Sequence, residues 1–281
     1  MKLPFILIIF RLILQILINK YNWIIFVSLI NLDSSNLYSQ SFTRASLSFN
    51  HNNSPPFWQK TNNIGVFDKN QFSFSTDFVG SNELINYAFS LYSSNNKKIK
   101  FIFPIAYISR KKISYEFKAG RWKDKLTNES ILSTGSFLIS KNALPITKIS
   151  FRTNEYKKFS IFNFQLLVKG GISHGWMSKE KYIKAPLLHE KFINIKKSFK
   201  NKITLRVGLV HEAMWGGETE IHGKQPQTLN DYLRVFTFSS ASKSGLPQEQ
   251  KNTLGNHLGV WDVVLTKIKK NFGLKLYYQH P

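Results

Sequence analysis

The feature that most constrains this chain is a hydrophobic period of two. Phe72, Phe74 and Phe78 alternate with Ser73, Ser75 and Asp77. Phe162, Phe164, Leu166 and Val168 alternate with Asn163 and Gln165. The pattern returns in Ile203, Leu205, Val207 and Leu209, and again in Phe272, Leu274, Leu276 and Tyr278. Successive side chains of an extended strand point to opposite faces, so each run has one apolar and one wet face. Ile99, Phe101, Phe103, Ile105 and Tyr107 are expected on one face of a further strand, with Pro104 marking an edge or a bulge. Turn signals punctuate the runs at Ser94-Asn95-Asn96, Arg110-Lys111-Lys112, Thr153-Asn154-Glu155, Lys200-Asn201-Lys202 and Lys269-Lys270-Asn271. The predicted class is all-β and antiparallel. Helical signals are short: a Thr228-capped stretch to Phe236, and Leu246 to Leu254 closed by Gly255.

What such strands enclose is a separate question. Several runs have the length of a tilted membrane strand. Tyr107, Trp176, Trp261 and Tyr277-Tyr278 fall near run ends, where a barrel places its aromatic girdles. A soluble β-sandwich produces the same alternation, so the residues leave barrel and sandwich open. Charge narrows the partners: 39 Lys and Arg oppose 16 Asp and Glu, and only 7 of the bases are Arg. Base-edge and phosphate recognition favours the Arg fork, so nucleic acid is a poor match. An acidic polysaccharide or a lipid headgroup suits a Lys-rich surface better. The absence of cysteine excludes disulfide, thiolate and Cys-zinc chemistry.

The amino terminus carries two apolar runs, Leu3 to Ile18 and Trp23 to Ile30, each short for a membrane span. The second has signal-peptide grammar and ends in Leu37-Tyr38-Ser39-Gln40, predicting export with cleavage after Ser39. A retained helical anchor is the alternative, and either reading takes the rest out of the cytoplasm. The expected organisation is a signal segment over 1–39 and one β-domain over 40–281.

Functional residue types are densest from His211 to Pro226, read as a structured loop directly after a strand. Its two His and three Glu are divalent-ion ligand types, but no spacing fixes them on one face, and no metal site is assigned. Glu212 with Glu218 or Asp231 could form a glycosidase carboxylate pair. Trp215, with Arg206, His211 and Arg234, could form a sugar-binding surface. An aromatic face stacks on pyranose CH groups, and bases pair with uronate carboxylates. Equally, Trp215 could be a packed anchor and the bases could line a wet lumen.

At this loop the chain resembles the Wzi-type capsule assembly proteins, closest to those of Bacteroidetes-like bacteria. The resemblance rests on Leu187-Leu188-His189-Glu190-Lys191-Phe192, Val207 to Gly217, Gly223-Lys224-Gln225-Pro226, Asp231 to Phe236, Leu254 to Gly259 and Lys275 to His280. It implies an outer-membrane β-barrel with a helical plug that binds capsular polysaccharide or exopolysaccharide at the cell surface. It further implies no catalysis and no cofactor, with polysaccharide and outer-membrane lipid as partners. Members of that family are longer, so the expectation is an incomplete barrel lacking its C-terminal part. The alternative is an exported soluble or membrane-anchored β-rich carbohydrate-active enzyme, such as a glycoside hydrolase.

Overall fold

The computed structural model describes residues 40–49, 57, 61–66, 72–82, 85–96, 98–112, 114–124, 126, 133, 135–161, 164–178 and 183–281. The expected signal segment over 1–39 lies outside the described residues, as do Phe162 and Asn163. The rest is dominated by one antiparallel sheet whose strands follow their order in the chain. Its order is β1 (Gln40–Phe49), β2 (Phe72–Ser81), β3 (Ile85–Asn96), β5 (Ala106–Lys111), β6 (Tyr115–Arg121), β7 (Thr147–Thr153), β9 (Phe164–Trp176), β11 (Leu187–Phe199), β12 (Ile203–Trp215), β15 (Asn256–Lys269) and β16 (Phe272–His280). β4 (Lys98–Ile102) also pairs with β3, and β8 (Lys157–Ile161) with β9. A small sheet joins β10 (Ile183–Lys184), β13 (Glu218–Thr219) and β14 (Gly223–Lys224). Among the described residues no ladder joins β1 to β16. The sheet is therefore large, antiparallel and open.

The predicted turns fall where the strands reverse, and two expectations need correction. The run from Ile99 to Tyr107 is not one strand. Tyr92 pairs with Ile102 but Phe89 pairs with Ala106, so β4 and β5 carry one extra residue around Pro104. That bulge exchanges the faces: Phe101 keeps the side of Phe89, whereas Tyr107 turns to the side of Ala88 and Ser90. The second correction concerns His211, which does not open a loop. β12 runs on to Trp215, and the chain leaves the strand at Gly216 and Gly217, both at positive φ.

The burial of the two faces is the reverse of a soluble sheet. On β7, Lys148 and Ser150 are buried while Ile149 and Phe151 are exposed. On β11, Glu190 and Asn194 are buried while Ile193 is 45% exposed, and on β15 Asp262 is fully buried between exposed Trp261 and half-buried Val263. Register carries these residues into rows across the long strands. Ile193, Leu209 and Trp261 form one, with His280 at its edge, followed by Ile195, Val207, Val263 and Tyr278. Lys197 enters the third row beside Leu205, Leu265 and Leu276, and Lys267 enters the fourth between Ile203 and Leu274. Four rows spaced two residues apart extend about 20 Å along the strands. Among the described residues no second sheet packs on this apolar face.

Both faces are covered at one end only. On the polar face the connection between β6 and β7 lies across the strands, held by Asp124 to Lys148 and Arg152. On the apolar face lies α1 (Leu229–Thr237), started by a capping box in which Thr228 and Asp231 satisfy each other's backbone N–H groups. Tyr232 and Val235 face the sheet, and Val235 joins Ala213, Trp215, Ala241 and Leu254 in the principal apolar core. A second short helix, α2 (Pro247–Lys251), follows, and the chain re-enters the sheet after Gly255, at φ +90°.

Candidate functional site: a basic cavity on the polar face

The polar face contains two ion-pair groups. Lys148 Nζ lies 2.8 Å from Asp124 and 2.5 Å from Glu190, and Arg152 bonds Asp124 and Glu116 at 3.0 and 3.1 Å. Burial pushes the Asp124 carboxyl up, but the Lys148 ammonium and Arg152 guanidinium overcome it and hold it at about 2. Farther along, Arg206 reaches Asp262 and Asn194 across β11, β12 and β15. Gly208 leaves the room this requires: a Cβ there would meet Asn194 Oδ1 at 2.3 Å.

Beside the first group opens a cavity of about 1030 Å³. Its wall carries Lys111, Lys112, Lys118, Lys123, Arg152 and Lys169, together with Glu116, Asp124 and Glu155. Six cations face three carboxylates, two of which Arg152 already engages, so the cavity is net positive. Lys118 is held over the rings of Tyr107, 3.5 Å from the centroid, and Trp122, at 4.9 Å. The rings engage the ammonium itself by cation–π contact, at the cavity wall. A net positive wall of this kind is chemically suited to carboxylate, phosphate or sulfate groups.

The residues singled out in the sequence do not gather on one surface. Arg206 lies on the polar face within its ion pair. His211 lies on the apolar face, buried, with Nε2 2.9 Å from His257 Nδ1 and its ring 4.6 Å from that of Phe238. Trp215 is 4% exposed and packs against Tyr232 beneath α1, so its ring offers no open face to a sugar. Arg234 sits on α1 and donates to the Ser240 carbonyl at 2.8 Å. Among the carboxylates considered for catalysis, Glu212 points to the polar face, Asp231 is spent in the capping box, and Glu218 is exposed on β13. Among the described residues no three His, Asp or Glu side chains converge to hold a metal ion.

Sequence reasoning missed the cavity because its residues come from separate strands and from the β6–β7 connection. One signal was present: Glu116 and Lys118, then Lys148, Ser150 and Arg152, occupy alternate positions opposite Phe117, Ile149 and Phe151. Charges in the middle of strands, in step with aromatics, mark a wet interior. Trp261 also departs from a simple girdle, since it lies level with Ile193 and Leu209 within the apolar rows. No known family, curated protein or solved structure matches this chain.

Proposed function

We propose that this chain is a β-barrel protein of the outer membrane, without catalytic activity, that binds an acidic capsular polysaccharide or exopolysaccharide on its polar face. One observation carries the reading: on neighbouring strands Ile149, Phe151, Ile193 and Trp261 are exposed on one face while Lys148, Glu190 and Asp262 are buried on the other. A soluble sandwich hides its apolar rows between sheets, whereas a membrane barrel turns them to lipid and keeps its polar residues inside. The reading requires the edges at β1 and β16 to be paired in the membrane, because unpaired edge groups cost several kcal/mol each in lipid. The resemblance to Wzi-type proteins supplies the polysaccharide, and the net positive cavity supplies a reason for an acidic one.

The test has two stages. Outer-membrane extracts should contain the protein as a band whose gel migration shifts on heating, whereas purely soluble periplasmic protein would reject the barrel. Lys118→Glu with Lys169→Glu should then weaken retention of a uronate-bearing polysaccharide, roughly tenfold per lost charge-assisted contact. Added salt should lower retention by the natural protein and have less effect on the variant. Retention of a neutral glucan at equal strength would reject the acidic-sugar reading.

A further inference from the structure

The helix α1 packs on the apolar face of the sheet and leaves part of its own apolar surface uncovered. It covers the end of the apolar face, over His174, His189, Ala213 and Trp215, and not the wet interior. Its underside, Tyr232 and Val235, packs on the sheet. Its outer side is also apolar: Leu229 is 76% exposed and Leu233 51%, while Phe236 and the cap residue Phe238 flank them, partly exposed with one side of each ring on His189, Lys191 or His211 of the sheet. Asn230, Arg234 and Thr237 occupy the remaining arc. A helix that buries one apolar edge in protein and presents a second outward is suited to a layer that is apolar below and polar beside it.

Charge and shape point the same way. Lys191 is the cation of this strand face nearest α1, with Lys197 and Lys267 farther along the same face. Its Nζ donates to the Phe236 carbonyl at 2.6 Å, at the negative end of the helix, and lies 3.9 Å from the centre of the Phe238 ring. Lys243 and Lys251 follow on the exposed segment around α2. Below Phe238 opens a groove of about 440 Å³, lined by Phe151, Ile172, Phe192, Ile193 and Leu209, with Gly170 and Gly171 as its floor. It runs into the apolar rows, and Lys191 stands at its side.

We propose that α1 is an interfacial helix. It rests in the phospholipid headgroup layer at one rim of the apolar band, with Leu229, Leu233 and Phe236 in the acyl boundary and one acyl chain in the groove beside Lys191. The inference rests on the membrane reading above, because the apolar rows must be lipid-facing for their continuation under α1 to be so. It adds a lipid contact outside the strands and a fixed depth for the sheet in the bilayer.

The absence of cysteine allows the test. Leu233→Cys, Asn230→Cys and Ile193→Cys are made singly in the full chain, labelled with an environment-sensitive fluorophore and reconstituted into phosphatidylethanolamine–phosphatidylglycerol vesicles. Each is then quenched by lipid carrying a nitroxide near the headgroup and by aqueous iodide. The expected ratio of lipid to iodide quenching is above one at positions 233 and 193 and below one at 230. Lipid quenching at 193 with iodide quenching at 233 would overturn the interfacial helix and leave the barrel standing. Iodide quenching at both would overturn the membrane reading and this inference with it. Protection of position 233 from both quenchers would mean that protein covers the helix, and would also overturn the proposal.

Discussion

The two faces of the sheet are made from the same strands, yet opposite rules govern them. On one, Lys148, Glu190 and Asp262 are buried and Arg152 half-buried, all held by specific partners at fixed distances. On the other, Ile149, Phe151, Ile172 and Ile193 are exposed and need only an apolar surrounding. The polar face is therefore intolerant of single changes because each charge depends on a partner. The apolar face should tolerate any change that keeps it apolar. The comparison locates specificity in the interior and solvent preference on the outside.

The sharpest way to break it is Lys148→Met, which removes the cation between Asp124 and Glu190 and leaves both carboxylates buried. Uncompensated buried charge costs about 3–5 kcal/mol. The heat-modifiable folded band should lose its resistance to urea accordingly, and an unchanged midpoint would show that the interior is wet enough to screen the pair. Next in size is Ile195→Lys, in the middle of the apolar rows. A cation facing the middle of the bilayer costs about 2–4 kcal/mol. Ile195→Leu at the same position should be close to neutral, so an equal loss for both would place this face against protein.

The smallest expected effect is a pH dependence confined to the polar face. Asp124 has a folded value of about 2, below the roughly 3.9 of an unfolded chain. Its contribution is fully present above the unfolded value and is lost as pH falls through the folded one. Urea midpoints should therefore drop between about pH 4 and pH 2, and Asp124→Asn should flatten part of that drop. An identical acid profile in the variant would assign the loss to other carboxylates.

Much of the fold was legible because the period of two, the Lys- and Asn-rich turns and the Thr228–Asp231 box are local signals. The choice of buried face was not, since alternation defines two faces without saying what covers either. The extra residue near Pro104 also defeated simple parity, turning Tyr107 inward. For the site, parity could have separated Arg206 from His211, five residues apart on one strand, had β12 been followed to Trp215. The cavity was out of reach for another reason. Asp124 belongs to an aperiodic connection, and only tertiary ion pairs bring it to Lys148 and Arg152.

The meander has a consequence for how the protein is made. The strands of the main sheet pair in chain order, through tight turns at β11–β12 and β15–β16 and through a long connection over 216–255 between β12 and β15, so each hairpin can template the next. Assembly can therefore advance as a zipper, and any interruption leaves a partial sheet with a live edge. Such an intermediate would carry its finished rows of Phe, Ile and Leu into water before any bilayer reaches them. The rate at which lipid or a holding chaperone meets the growing sheet would then decide between insertion and precipitation.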